Sequence, residues 1–173
     1  MLTRRNLGLG AAAFSLAACT GTTTKADDMT TDAKTAKDVN MSDNEWANMT
    51  PAAWKDRLTD MEYYVLREEG TERAGTSPLN AEKRDGTFVC AGCALPLFKS
   101  ETKYESGTGW PSFYDFIPGS LDTKVDRKLF MARTEYHCSR CGGHQGHVFK
   151  DGPAPTGLRY CNNGIALDFI PDA

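Results

Sequence analysis

Apolar residues fall along the chain in three regimes. Leu7 to Ala18 form a twelve-residue, predominantly apolar stretch behind Arg4 and Arg5. It is too short to span a bilayer as a mature helix, and it predicts a signal peptide over residues 1–18. Thr20 to Glu45 is rich in Thr, Asp and Lys and holds no aromatic residue. Such a stretch buries too little apolar surface to offset its ordering entropy, and it predicts a flexible tether with an r.m.s. reach of roughly 30 Å. From Thr50 the period becomes helical. Thr50-Pro51 places a capping hydroxyl before a proline suited to the first turn, and Trp54 and Leu58 lie four apart. Thr59-Asp60-Met61-Glu62 has capping-box spacing for a second short helix, with Gly70 as its stop.

After Gly70 the apolar runs shorten and turn chemistry separates them, at Asp85-Gly86, Asp151-Gly152-Pro153 and around Gly107 and Gly164. Strands are predicted over Lys128–His137, Leu158–Cys161 and Ala166–Ile170. No helical segment of useful length lies between them to carry a parallel crossover, so the predicted fold class is mainly β, with antiparallel sheets behind short N-terminal helices.

With 173 residues and 40% hydrophobic content, the chain supports one domain, expected over residues 50–173. Removing Arg4 and Arg5 with the leader takes the net charge from −3 to −5, which argues against nucleic acid as a partner. Leu16-Ala17-Ala18-Cys19 resembles a bacterial lipobox, in which Cys19 becomes the lipidated first residue. Residues 19–49 then form a lipidated linker, and the mature protein is an exported lipoprotein facing the periplasm on a membrane anchor. An ordinary secretory signal with an incidental Cys19 is the alternative. Thr3-Arg4-Arg5 is compatible with twin-arginine export as well as the general route. Thr20-Gly21 after Cys19, in place of the aspartate that keeps some lipoproteins at the inner membrane, favours the outer membrane by the same resemblance.

The six cysteines divide unequally. Cys90 and Cys93 form one C-x-x-C and Cys138 and Cys141 another, a pattern suited to one structural zinc held by four thiolates, with Gly92, Gly142 and Gly143 letting the backbone turn around the metal. Two disulfides are the competing reading in an exported protein. His144 and His147 follow in the same segment, but four softer sulfurs already complete a zinc site. Cys161 is left over. A lone cysteine is either a small buried hydrophobe or a nucleophile, and the nucleophile needs nearby positive charge or donors, for which Arg159 and the two histidines are the candidates.

Five segments occur in order: Gly70-Thr71-Glu72; Cys90-Ala91-Gly92-Cys93; Gly107-Thr108-Gly109-Trp110-Pro111-Ser112-Phe113; Cys141 through Phe149; and Pro155 through Cys161. Together they resemble the peptide-methionine (R)-S-oxide reductases, the B-type methionine sulfoxide reductases, over roughly Ala53 to Pro171. The resemblance implies reduction of the R epimer of methionine sulfoxide in oxidised proteins or peptides. Cys161 is then the attacking thiolate and becomes a sulfenic acid. Trp110 packs on the methionine methyl group, Arg159 belongs to the substrate-binding residues, and His144, His147 and Asn163 contact the sulfoxide oxygen. Histidine suits that proton transfer near neutrality. Trp110 can also be read as plain core, and Asn163 as a turn residue.

Many family members carry a resolving cysteine in the Gly-x-Gly-Trp motif, where this chain has Thr108. The departure implies regeneration by an external thiol, either a thioredoxin-like domain or a small thiol. Gln145 and Asn162 stand where apolar residues are frequent in the family and bear on fine substrate preference. Two rival functions remain: a zinc-ribbon-like binding module, which has no use for Cys161, and a thiol-exchange or metal-handling lipoprotein whose C-x-x-C pairs cycle. Neither accounts for the Gly-x-Gly-Trp and Arg-Tyr-Cys segments.

Overall fold

A computed structural model describes residues 41–128 and 132–173. The leader, Cys19 and the tether up to residue 40 lie outside the described residues, as do residues 129–131 of the expected Lys128–His137 strand. Three short helices come first. In α1 (Asp43–Ala47) the Ser42 hydroxyl accepts from the Glu45 amide, and the Glu45 carboxylate accepts from the Ser42 amide at 2.7 Å. In α2 (Pro51–Arg57) the Thr50 hydroxyl accepts from Ala53, and Pro51 occupies the first turn. The predicted Thr59–Glu62 box opens α3 (Asp60–Glu68), where the Glu62 carboxylate accepts from the Thr59 amide at 2.8 Å. Glu69, and not Gly70, takes the left-handed cap conformation at φ 57°, and its carboxylate is paired with Lys124 and Lys128.

The predicted tether ends earlier than expected, and the packed body starts at least seven residues ahead of Pro51. Trp46 on α1 is 1% exposed and meets Trp54 of α2 at a centroid distance of 5.9 Å. Arg57 lies over the Trp46 ring and Arg67 over the Trp54 ring, each at 4.7 Å, so cation and ring alternate along this corner. A single tryptophan in a polar stretch gives no periodicity, which is why the pattern missed α1.

The rest is antiparallel β-structure, as predicted. β1 (Gly86–Cys90) lies between β2 (Pro96–Lys99) and β9 (Leu167–Pro171). The second sheet runs β3 (Lys103–Tyr104), β4 (Ser112–Phe113), β8 (Arg159–Asn162), β7 (His144–Phe149), β6 (Arg133–Cys138), β5 (Leu121–Asp126). Of the expected Lys128–His137 strand, the part from Arg133 on is β6, which runs to Cys138, and β5 lies wholly before it. β5 escaped notice because it is an edge strand with exposed central positions and only two apolar residues, Leu121 and Val125; charge on an edge is a common guard against edge pairing. β7 escaped because its buried residues are polar.

Aromatic rings join the sheets. Phe88 of β1 and Phe98 of β2 pack on Phe113 of β4 at 5.0 and 4.1 Å, and Tyr136 of β6 meets Tyr160 of β8 at 5.4 Å. All of these rings are buried. Each contributes beyond its area through edge or offset contact.

Replacing Trp46 by Ala is expected to cost about 3 kcal/mol or more of stability, the usual range for a buried aromatic, whereas Met61→Ala at 48% exposure changes it by about 0.5 or less. Chemical denaturation checks both, and an unchanged midpoint for Trp46→Ala would put the start of the stable domain back at Thr50.

Candidate active site and metal centre

Two tight turns build the metal centre. β1 ends at Cys90, where the Ala94 amide donates back to the Cys90 carbonyl at 2.8 Å; β6 ends at Cys138, where the Gly142 amide donates to the Cys138 carbonyl at 2.9 Å. The turns face one another across the two sheets. The sulfurs of Cys90 and Cys141 stand 3.7 Å apart and those of Cys93 and Cys138 3.5 Å apart, with all four within 4.8 Å and all four residues buried. Four thiolates around a tetrahedral ion at about 2.3 Å sit about 3.8 Å from each other, so the set fits such an ion. These spacings are far beyond a disulfide bond, and the four cysteines are free thiols. Crowding by Cys138, Cys90 and Cys93 drives the Cys141 thiol far up, a cost that a bound dication removes. The four cysteines hold a metal ion.

The carbonyls of both turns are capped by arginines. Arg57 donates to the Gly92 carbonyl, Arg67 to Cys141 and Arg140 to Cys93. Gln145, expected to touch on substrate preference, is fully buried and donates its Nε2 to the Cys90 sulfur at 3.4 Å. Its Oε1 accepts from Asn162 Nδ2, and Asn162 Oδ1 accepts from the Tyr136 hydroxyl at 2.8 Å. A buried polar thread therefore runs from the metal sulfurs to β8, the strand that carries Cys161.

Register assembles the second site. On β8, Cys161 faces His147 of β7 on one side and Ser112 of β4 on the other. β7 and β8 approach so closely beside it that a Cβ at Gly146 would lie 1.9 Å from the Cys161 carbonyl oxygen, which only glycine permits. Cys161, Trp110, His147, Asn163, Arg133 and Phe149 line a cavity of about 130 Å³ with Thr71, Gly146 and Asn162. This is smaller than the roughly 300–1,000 Å³ of pockets for drug-sized ligands, and suits one side chain.

Each predicted site residue has a distinct place. Trp110 forms one wall and donates its indole N–H to the Glu72 carbonyl at 3.2 Å. The Cys161 thiol is pushed up by burial and drawn back by the Arg159 charge and by hydrogen bonds from Thr108 and Arg159. Arg159 stands beside the cavity wall; its guanidinium grips Asp151 through two bonds of 2.9 Å and lies over the Phe149 ring. Asn163 is committed to the backbone, accepting from the Glu72 amide at 3.1 Å and donating to the Gln145 carbonyl at 3.0 Å. That leaves one amide proton for the cavity it lines.

The two histidines are not equivalent. His147 reaches the cavity, and its Nε2 meets Asp126 Oδ2 at 2.8 Å. Burial lowers its pKa, and Asp126 partly restores it. Asp126 itself is held well below the usual carboxylate range by the Lys128 amide and by His147 and Arg133. His144 is 2% exposed, packed edge-on against the His147 ring at 5.5 Å, and bonded through Nδ1 to Glu135 at 2.7 Å. Burial lifts Glu135, but His137 and His144 outweigh it and hold the carboxyl down to about 2. Asp126, Arg133 and Glu135 were missed in the sequence reading, since their partners lie one or more strands away and no spacing signals them; Glu72 stands in the Gly70-Thr71-Glu72 segment but without a role of its own.

A family model described as the SelR domain matches residues 58–171. The peptide methionine sulfoxide reductase MsrB of Leptospira interrogans is 52% identical over 127 residues, which cover 73% of this chain and 97% of that protein. The MsrB of Methanosarcina barkeri is 55% identical over 117 residues, 67% of this chain and 82% of that protein. The MsrB of Agrobacterium fabrum is 48% identical over 125 residues, 72% of this chain and 93% of that protein.

Gln145→Leu is expected to speed metal loss to a competing chelator by about tenfold without unfolding the domain, the usual effect of losing a group that supports a ligand. A release rate equal to that of the parent chain would show that the Cys90 contact does no work.

Proposed function

The chain belongs to the SelR-domain family, the B-type peptide methionine sulfoxide reductases, and on that premise we propose that it reduces the R epimer of methionine sulfoxide in oxidised proteins through Cys161. The observation that carries the reading is the convergence of Cys161, His147 and Trp110 on one side-chain-sized cavity.

The oxidised side chain enters with its methyl group against Trp110 and its sulfur toward Cys161. The Cys161 thiolate gives an electron pair to the sulfoxide sulfur while the oxygen is protonated. Methionine leaves two electrons richer, and Cys161 keeps the oxygen as a sulfenic acid. Arg159 and Thr108 favour the thiolate. His147, with Asp126 on its Nε2, supplies the proton. His144, fixed by Glu135, holds the His147 ring in place. Asn163 offers its remaining amide proton to the oxygen. Among the described residues the other cysteines belong to the metal centre, so an external thiol of a thioredoxin-like protein or a small molecule attacks the sulfenic sulfur, releasing water, and a second thiol frees Cys161.

The ion is zinc, since four thiolates in a closed tetrahedral set are its structural preference, and it contributes fold stability on the order of 10 kcal/mol. The leader, the lipobox-like run at Cys19 and the polar tether support an exported lipoprotein that repairs periplasmic proteins at a membrane surface.

Mature protein and its Cys161→Ser variant, given peptides of resolved R and S sulfoxide in a single turnover, test the reading. R-selective conversion that needs Cys161 and leaves one oxygen on it is expected; turnover by the serine variant would sink it. A bell-shaped rate against pH is also expected. The acidic limb belongs to His147 below its ordinary 6.5, and the basic limb to Cys161 above its ordinary 9.0. Asp126→Asn removes the charge that favours the imidazolium, so the acidic limb moves further down; a limb that stays or rises would exclude His147 as the group observed.

A further inference from the structure

Of three hydroxyl groups near Cys161, only that of Thr108 has a part in the chemistry so far. They lie on the loop between β3 and β4 and at the start of β4. Gly107 and Gly109 take φ of +70° and +86°, two left-handed steps that flank Thr108. Ser106 Oγ is 2.8 Å from Thr108 Oγ1 and 2.8 Å from Ser112 Oγ. Ser112 is fully buried, pairs with Cys161 in the sheet, and stands 3.2 Å from the Trp110 carbonyl. At the other end the Thr108 hydroxyl lies near enough to the Cys161 thiol to favour its charged form.

We propose that Thr108, Ser106 and Ser112 form a reversible hydrogen-bond chain that donates to the Cys161 thiolate before attack and accepts from its sulfenic acid afterwards. The inference rests on Cys161 being the nucleophile. It gives a task to the position where many relatives carry their resolving cysteine.

Each hydroxyl has one proton and two lone pairs. With all three protons turned toward the sulfur, Ser112 donates to Ser106, Ser106 to Thr108, and Thr108 to the thiolate. With all three turned the other way, Thr108 donates to Ser106, Ser106 to Ser112, and Ser112 to the Trp110 carbonyl. Thr108 Oγ1 then presents lone pairs to the sulfur, where a sulfenic hydroxyl can donate. The Thr108 amide also donates to Ser106 Oγ at 3.4 Å. Ser106 therefore accepts twice and donates once in both arrangements, and every hydroxyl proton has an acceptor in each; the Trp110 carbonyl gives up Ser112 when the protons face the sulfur. The reversal takes only rotation about three C–O bonds; no proton leaves the chain and no co-reactant is consumed. Thr108 touches the reacting atom, while Ser106 and Ser112 act through it as positioning residues.

Other groups face the same sulfur. Arg159 and Asp151 lie beside it, Tyr104 approaches from β3, and His147 and Arg133 share its cavity. The test must separate the chain from these, and it must not depend on turnover. Cys161 in the metal-loaded chain is alkylated with iodoacetamide across pH, with mass analysis locating the adduct. In Thr108→Val the midpoint for Cys161 is expected to rise by about one pH unit, a tenfold loss of thiolate at a fixed neutral pH, because a hydrogen bond to the charged form is removed. Thr108→Ser is expected to restore it to within a few tenths of a unit, and Ser106→Ala to shift it in the same direction by less. Sulfenic acid at Cys161, made by peroxide and trapped with a diketone probe, is expected to be shorter-lived in Thr108→Val and normal in Thr108→Ser.

A midpoint that does not move in Thr108→Val, or a Thr108→Ser variant that behaves like Thr108→Val, overturns the proposal. Should Thr108→Val fail to fold, Ser106→Ala decides alone: a parental midpoint there overturns it. Turnover by Cys161→Ser would instead overturn the nucleophile reading and leave these alkylation results standing.

Discussion

Four thiolates cannot be packed side by side in a dry interior without a cation, and the geometry of the chain accepts that constraint at the junction of its two sheets. Cys90 and Cys93 close the end of β1, and Cys138 and Cys141 close the end of β6. One ion therefore ties the three-stranded sheet to the six-stranded one at a point where aromatic packing alone leaves two loose turns. The helices follow from the same point. Arg57 of α2 and Arg67 of α3 reach the turn carbonyls while their stems and planes cover Trp46 and Trp54, so the N-terminal corner is folded onto the metal turns.

The reactive site depends on this frame through strand register. β7 leaves the second metal turn after two residues and brings His144, Gln145, Gly146 and His147 in sequence past β8. Pairing with Cys161 places His147 in the cavity beside it, while His144 and Gln145 are buried. A slip of one residue would turn His147 to the other face and remove the imidazole from the sulfur. The arrangement also explains the difference between the histidines. One has an aspartate and an open cavity, the other a buried glutamate and a supporting role.

Much of this was legible in the sequence where a local physical rule applied. The Thr50 and Thr59 caps, the antiparallel class, the two metal turns and the isolation of Cys161 each follow from residues close together in the chain. What was illegible depended on distant partners. Trp46 gains meaning only from Trp54 and Arg57. β5 is polar because it is an edge, and its Asp126 matters only because β6 and β7 bring Arg133 and His147 to it. From the sequence, Gln145 and Asn162 bear only on fine substrate preference; in the fold the first reaches the metal sulfurs and the second lies between it and Tyr136.

That last pair carries a consequence for descent. A buried amide whose partner vanishes must bear the full cost of desolvation, whereas exchanging both members of a closed pair for apolar groups of similar shape is close to neutral. Gln145 and Asn162 are not a closed pair, because the buried Tyr136 hydroxyl donates to Asn162 and Gln145 donates to the Cys90 sulfur. Exchanging both amides for apolar groups still strands the Tyr136 hydroxyl, so the thread behaves as one inherited character spread over three codons.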